Sequence, residues 1–301
     1  MDRRIFIKLS SLGVGAVFAS GLPGVAAAVT KKSKKNGAEP YRDFYFVQMS
    51  DCHWGYTGPA NPESANTLKL AVNAVNSLAE APEFIVFTGD LTHTTDDPGE
   101  RRRRMREFKE IVAALKVKQV YFMPGEHDAA LDRGAAYKEL FGDTHYAFDH
   151  KGVHFVVLDN VSDPGAALGN EQLEWLKSNL ATQKKDQPIV IYTHRPLFDL
   201  APAWDWATRD GAAALEILSA YDHVTVFYGH IHQEHHFVTG NINHHAAKSL
   251  VFPLPVAGSQ EKRTPLPWDP SAPFKGLGFR EIDAKASANT FEIEEFPVVK
   301  G

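Results

Sequence analysis

A single cysteine, Cys52, stands in 301 residues, which excludes an internal disulfide and any cysteine-built zinc module. A basic excess is lacking too. The formal charge is −5, so the chain offers no global positive field to nucleic acid or an anionic membrane, and no nucleic-acid partner is expected. No internal repeat or low-complexity tract stands out, and apolar runs beyond the amino terminus are short. What is present is ordinary globular composition, 44% hydrophobic and 23% charged, with apolar mass for a large core. Fourteen histidines against one cysteine move any metal site towards imidazole and carboxylate ligands, hence Zn, Mn or Fe.

The stretch "MDRRIFIKLSSLGVGAVFASGLPGVAAA" (1–28) has a basic start, an apolar middle and a small-residue end at Ala26-Ala27-Ala28, the form of a secretory signal. Arg3-Arg4, followed by Phe6 and Lys8, resembles the twin-arginine export motif. The plainer alternatives are a general secretory signal or a membrane anchor. Pro23 and the glycine- and alanine-rich middle argue against a lasting span, and no cysteine lies at the cleavage region to carry a lipid. Residues 1–28 are therefore expected to be a twin-arginine leader, with the export machinery as a partner and the periplasm as destination. That route carries folded chains, often with a metal already loaded. The polar, basic segment 29–42 reads as a flexible linker, and 43–301 as one folded domain.

From residue 44 a rhythm begins. "FYFVQM" (44–49) ends at Ser50-Asp51-Cys52-His53, "FIVFTGD" (84–90) at Asp90, and "VYFM" (120–123) at Gly125-Glu126-His127-Asp128. "PIVIYTH" (188–194) ends at His194, and "VTVFYGHIH" (224–232) at His230 and His232. Such β-branched and aromatic runs read as buried strands. Helical spacing joins Leu68, Ala71, Val72, Val75 and Leu78, then Phe108, Ile111, Val112 and Leu115. Asn170 is placed to cap a helix bearing Leu173, Leu176 and Leu180, and 211–221 reads as a further helix. Strands alternating with helices argue an α/β fold whose ligands gather beyond the strands' carboxyl ends. After residue 246 a Pro-rich segment reads as a long ordered loop, and two closing strands are expected near 277–283 and 290–298.

On an extended backbone, Asp51-x-His53 would place both side chains on one face and turn Cys52 away; His230-x-His232 repeats that logic. Asp90 follows a glycine that lets the backbone approach closely, and its carboxylate could bridge two ions. With Glu126 and His194, these groups could hold two divalent ions through borderline N/O ligands. A lone strand-end histidine is more often a hydrogen-bonded surface residue than a ligand. Recurrence at five strand ends favours the ligand reading.

Asp51-x-His53, Gly89-Asp90, Gly125-Glu126-His127-Asp128, His194 and Gly229-His230-x-His232, in that order, resemble the calcineurin-like metallophosphoesterases, whose pattern is DxH, GD, GNH with D or E, H, and GHxH. The segment 155–198 is similar to members akin to bacterial cyclic-nucleotide phosphodiesterases, and the resemblance spans roughly residues 44–240. It implies a four-layer αββα sandwich of two mixed β-sheets flanked by helices. It also implies a binuclear site hydrolysing a small phosphomonoester or phosphodiester with a metal-bridging hydroxide. Carried over by position, Asp51, His53, Asp90 and His232 would hold one ion, and Asp90, Glu126, His194 and His230 the other. His127 would stand by the leaving group, with Asp128 orienting it and favouring its imidazolium. The chain departs from the pattern at Glu126, where the family usually has asparagine. A glutamate there should hold cations more tightly, lower their Lewis acidity and repel an anionic substrate. The alternatives are that it points away, or that the protein binds metal (iron above all) without turnover.

Other residues carry weaker readings. His93 either faces the substrate or is a loop histidine, and Arg195 is a candidate phosphate contact. Arg101 to Arg104 read as a solvated helix face beside Glu100, Glu107 and Glu110. Cys52 reads as a buried thiol. His235, His236, His244 and His245 read as exposed rather than as an outer shell, and Trp204, Trp206 and Trp268 are candidates to wall a pocket.

Overall fold

Phe44, Phe46 and Gln48 alternate with Tyr45, Val47 and Met49 along β1 (Phe44–Met49), and all six are buried. A strand buried on both faces needs an apolar layer on each side. The computed structural model describes residues 39–298; the expected leader at 1–28 and most of the linker lie outside the described residues. In the first sheet, β1 pairs in parallel with β2 (Ile85–Thr88), which pairs in parallel with β3 (Val120–Met123). Its other edge is closed by the antiparallel strands β10 (Gly278–Lys285) and β11 (Thr290–Pro297). The second sheet runs β4 (Tyr146–His150), β5 (Val153–Val157), β6 (Ile189–Tyr192), β7 (Val224–Tyr228), β9 (Ile242–Ala246) and β8 (His235–Thr239). Strands β5, β6, β7 and β9 are mutually parallel, with antiparallel strands at both edges.

Period-two alternation assigns each side chain to a layer. Phe44, Phe46, Phe84 and Val86 meet Phe155, Val190, Tyr192 and Phe227 between the sheets. Phe46 stacks on Phe84 at 4.7 Å and presents to Phe155, Tyr192 and Phe227 at 6.0, 6.4 and 6.0 Å, each near perpendicular, the geometry aromatic quadrupoles favour. Val47, Met49, Ile85 and Phe87 face outward onto α1 (Ser64–Asn76) and α2 (Pro98–Val112). Ile189, Ile191, Val224 and Val226 face α5 (Gly169–Leu180) and α6 (Gly211–Leu218). The result is the expected αββα sandwich, two mixed sheets flanked by helices.

Local elements depart from the sequence reading in places. Asn170 does not cap α5, which already begins at Gly169. Asp210, just ahead of α6, accepts instead from the Leu168 and Gly169 N–H groups, each at 2.8 Å, so a tertiary cap replaces the local one. Two short helices, α3 (Glu126–Ala129) and α4 (Ala135–Phe141), and the β8–β9 hairpin were not foreseen. The 247–276 stretch carries no helix or strand, and β10 and β11 close the chain as expected. Among the described residues, no helix is long and apolar enough to cross a membrane.

The hairpin corrects the reading of its histidines. His244, expected at the surface, is wholly buried, with both ring nitrogens lacking a hydrogen-bond partner and its ring edge-on to Phe198 at 5.0 Å. Burial, then His235, pushes its pKa down to about 4, whereas an unfolded histidine titrates near about 6.5. The folded form is therefore the weaker proton binder. Stability is complete above about pH 6.5 and falls as the pH drops towards 4, by up to about 3 kcal/mol. His244→Leu should move the midpoint of acid unfolding, followed by circular dichroism, to lower pH; an unmoved midpoint would show that His244 is not the acid-sensitive group.

Candidate metal centre

The strand ends converge through backbone geometry that differs from the extended run expected at Asp51-x-His53. Strand β1 stops at Met49, and Asp51 and His53 take left-handed backbone, φ 53° and 43°. Asp90, His230 and His232 do likewise, at 48°, 66° and 52°. Each such non-glycine conformation costs about 1–2 kcal/mol, and five of the seven candidate ligands adopt it. Strain gathered this way at one end of a sandwich marks a place held for function. The loops hold one another: the Asp51 N–H donates to the Gly89 carbonyl at 3.1 Å and the His53 N–H to the Asp90 carbonyl at 2.8 Å. The His230 N–H donates to the Asp51 carboxylate at 3.1 Å. Gly125 and Gly89 make room, because a Cβ on Gly125 would lie 2.0 Å from Asp90 Oδ1 and one on Gly89 2.3 Å from His194 Nδ1.

All seven residues come together, in two groups joined by one oxygen. In the first, His53 Nε2 lies 3.3 Å from His232 Nε2, and His232 Nε2 lies 3.2 Å from Asp51 Oδ1. In the second, Glu126 Oε2 is 2.9 Å from His194 Nε2, and Glu126 Oε1 is 2.8 Å from His230 Nδ1. Asp90 Oδ2 stands 3.3 Å from both His53 Nε2 and His194 Nε2. Ligand atoms about 2.1 Å from a common ion stand about 3–3.5 Å apart, so these spacings suit first-row metals.

The donor chemistry fits as well. His194 Nδ1–H donates to the Thr88 carbonyl at 2.7 Å and His232 Nδ1–H to the Phe252 carbonyl at 2.8 Å. Each bond leaves Nε2 as the lone-pair atom facing the cluster, the usual outer support of a ligating imidazole. Glu126 Oε2, His194 Nε2 and His230 Nε2 are buried without hydrogen-bond partners. Burial lowers the His194 pKa, but Asp90 and Glu126 outweigh it and hold it well above the usual value. Burial likewise opposes charge on His232, where Asp51 prevails and raises it. Glu126 is held well below the carboxylate range because His230 and His194 outweigh its desolvation. Positive charge is thus favoured at two places, one in each group, and two bound cations would answer the same field.

His127 lines the cavity of about 170 Å³ in front of the cluster. The Thr94 N–H approaches its Nδ1 at 3.2 Å, which leaves Nε2 to carry the proton of the neutral ring. Asp128 does not orient it, contrary to expectation. Its carboxylate is taken by the N–H groups of Leu91, Thr92 and Gly125 and by the Thr92 hydroxyl, at 2.8–3.0 Å. Burial, then Asp90, lifts its pKa to about 6. Asp128 therefore ties the Asp90 loop to the Gly125 loop.

His93 faces a candidate ligand rather than the cavity, its Nδ1 lying 3.2 Å from His53 Nδ1. Arg195 is buried, its guanidinium donating to the Ala207 and Asp205 carbonyls, so it braces the 197–209 loop and is not among the residues that line the cavity. Trp204 and Trp206 pack in a buried cluster with Tyr228 and Ile231 instead of walling the cavity. Arg101, expected on a solvated face, is buried against Asp132 at 2.7 Å, and Arg102 to Arg104 pair with Glu139, Glu100 and Glu107. Cys52 is a buried free thiol. Two cavity features escaped the sequence reading, Arg263 and the apolar side formed by Phe252, Leu254 and Pro265; nothing in their spacing separates them from the rest of the Pro-rich loop.

A two-sheet sandwich carrying carboxylates and imidazoles on its strand-end loops, with one carboxylate shared between two groups, defines the class of the dimetal phosphoesterases. Residues 44–234 match the calcineurin-like phosphoesterase family, more than half of the chain, and the chain belongs to that family. It is 30% identical over 177 residues to serine/threonine-protein phosphatase CPPED1 of Mus musculus, covering 52% of this chain and 57% of that relative. It is 27% identical over 216 residues to a probable cyclic nucleotide phosphodiesterase of Rhodococcus erythropolis, covering 66% and 68%. The fold is shared with a dimetal phosphatase from Danio rerio, TM-score 0.56 at 16% identity, covering 85% of this chain and 97% of that one.

Gly125→Ala should push Asp90 out of the position both groups share. Metal analysis after Mn²⁺ loading is expected to fall from about two ions per chain to fewer than about one, with about 1–3 kcal/mol of stability lost to overpacking. Retention of full occupancy would show that the close approach at Gly125 does not set the site.

Proposed function

We propose that the protein is a binuclear metal-dependent phosphoester hydrolase. Asp51, His53, Asp90 and His232 would hold one ion, and Asp90, Glu126, His194 and His230 the other. The observation that carries this reading is the single Asp90 oxygen at 3.3 Å from a histidine nitrogen of each group. When bound, the ions supply Lewis acidity to phosphoryl oxygens and acidify water. The chain's own contribution is placement. Asp90 Oδ1 accepts the His127 N–H at 2.9 Å, which locks the His127 backbone to the shared carboxylate. In this reading the Nε2–H of His127 donates a hydrogen bond to the departing ester oxygen and stabilises the charge that develops there. His93 is a positioning residue, accepting from His53 Nδ1–H so that His53 Nε2 faces the ion. The ions are Mn, Fe or Zn and the substrate is a small phosphoester. Residues 1–28 would direct the loaded chain through the twin-arginine machinery to the periplasm.

A second reading, ion retention without turnover, is favoured by one observation, the third carboxylate that Glu126 brings to the cluster. Metal quantification on protein folded in its own cytoplasm, with a panel of aryl phosphates and cyclic nucleotides, separates the two. Hydrolysis that disappears on chelation and returns with Mn²⁺ is the expected result, and a fully loaded protein with a visible charge-transfer band and no turnover would sink the hydrolase reading. Glu126→Asn should weaken binding of the second ion about tenfold or more, the size of one lost charge-assisted contact. It should also raise kcat per loaded centre. Equal affinity and equal rate in that variant would remove Glu126 from the ligand set.

A further inference from the structure

Arg195, the arginine whose position suggested a phosphate contact, is buried and turned onto loop carbonyls. The residues that line the cavity in front of the metal cluster nevertheless include one permanent cation, Arg263. Among the described residues its guanidinium has neither an ion pair nor a hydrogen bond, although it shares the cavity with Asp90 and Glu126. It comes from the 247–276 loop, beyond the residues that match the family.

That loop is ordered by its own bonds. The Leu266 N–H donates to the Pro253 carbonyl at 3.1 Å and closes the loop's base. The buried Trp204 donates from Nε1 to the Gln260 carbonyl at 3.2 Å, and Gln233 donates from Nε2 to the Pro255 carbonyl at 2.9 Å. The Phe252 carbonyl, at the loop's entry, accepts from His232. The segment that presents Arg263 is therefore tied at one end to a candidate ligand and at the other to the tryptophan cluster. An exposed guanidinium held at the mouth of a carboxylate-rich cavity, with no anion of its own, has one chemically complementary partner, an incoming anion.

Resting on the phosphoesterase reading, we propose that Arg263 is a specificity-determining residue that binds a non-bridging phosphoryl oxygen of the substrate. The apolar side formed by Phe252, Leu254 and Pro265 then receives the ester's organic group. The substrate class is an organic phosphoester with an apolar or aromatic alcohol. The guanidinium offsets the charge that Glu126 adds, which would otherwise repel the same anion.

The test uses the full chain loaded with Mn²⁺, in wild-type form and as Arg263→Ala, Arg263→Lys and Lys262→Ala. The last is a neighbouring control that does not line the cavity. Orthophosphate affinity is measured by titration calorimetry, and kcat and KM are measured with p-nitrophenyl phosphate. Arg263→Ala is expected to raise the phosphate Kd and KM about tenfold, with kcat within about threefold and metal content unchanged. Arg263→Lys should recover part of the loss, since lysine keeps the charge without the fork, and Lys262→Ala should match wild type. Turnover by wild type with Kd and KM in Arg263→Ala within about twofold overturns the role of Arg263 and leaves the hydrolase reading standing. Phosphate binding that needs Arg263, in a protein without turnover, supports the anchor and overturns the hydrolase reading. A wild type that neither binds orthophosphate nor hydrolyses the ester overturns both.

Discussion

Asp51 and Asp90 are held out of water with the half-buried Glu126 beside them, and the rest of the site follows from that constraint. Buried carboxylates are tolerated only beside compensating positive charge or dense hydrogen bonding. Asp51 receives the His230 N–H, the Ser50 hydroxyl and His232. Asp90 receives the His127 N–H and stands between His53 and His194, and Glu126 lies between His194 and His230. Each of the four candidate ligand histidines, His53, His194, His230 and His232, therefore has a carboxylate to answer. The left-handed turns at five of these residues are conformations the chain would not adopt for local reasons. They persist because the aromatic layer between the sheets fixes the strand ends from which the loops spring.

What the sequence showed and what it hid divide along the range of the forces involved. The buried strands were legible because a strand apolar on both faces needs β-branched and aromatic residues throughout, as in "FYFVQM" and "VTVFY". The seven candidate ligands were legible because each follows such a run at once. The order of the motifs also matched a family the chain belongs to. Hidden features depend on contacts far along the chain. Asn170 had the right chemistry for a cap, yet Asp210 reaches the α5 N–H groups first. Asp128 follows His127 in sequence, but α3 turns it towards the Leu91 and Thr92 N–H groups. The β8–β9 hairpin did announce itself, in the Gly240-Asn241 turn between "HHFVT" and "INHHA". A run so rich in histidine drew attention to metal chemistry and away from strand pairing.

The two arginines show the same division more sharply. Arg195 adjoins His194 in sequence, and adjacency to a ligand made it the natural anion contact. Both residues, however, lie in the bend that follows β6, where a one-residue step need not keep two side chains together, and Arg195 is drawn into the 197–209 loop. Arg263 is 69 positions from His194 and reaches the cavity only because Trp204 and Gln233 hold its loop there. A one-residue offset told less about proximity than a long-range bond that no spacing rule could reveal.

Glu126 ties these points together. Where the family pattern has asparagine, a neutral amide oxygen would leave His194 with Asp90 and Asp51 and would take from the His230 ring the carboxylate it faces. The glutamate places one oxygen 2.9 Å from His194 and the other 2.8 Å from His230, so it strengthens the field that draws a cation into the second group. The same charge works against an anionic substrate approaching from the cavity, because Coulomb repulsion in a partly desolvated site decays slowly with distance. A protein that gains ion affinity in this way either gives up anionic substrates or places positive charge along their path. The second course needs a cation outside the ligand shell, so that it does not compete with the metals, yet within reach of the phosphoryl group. Arg263, exposed and without a partner among the described residues that line the same cavity, has that location.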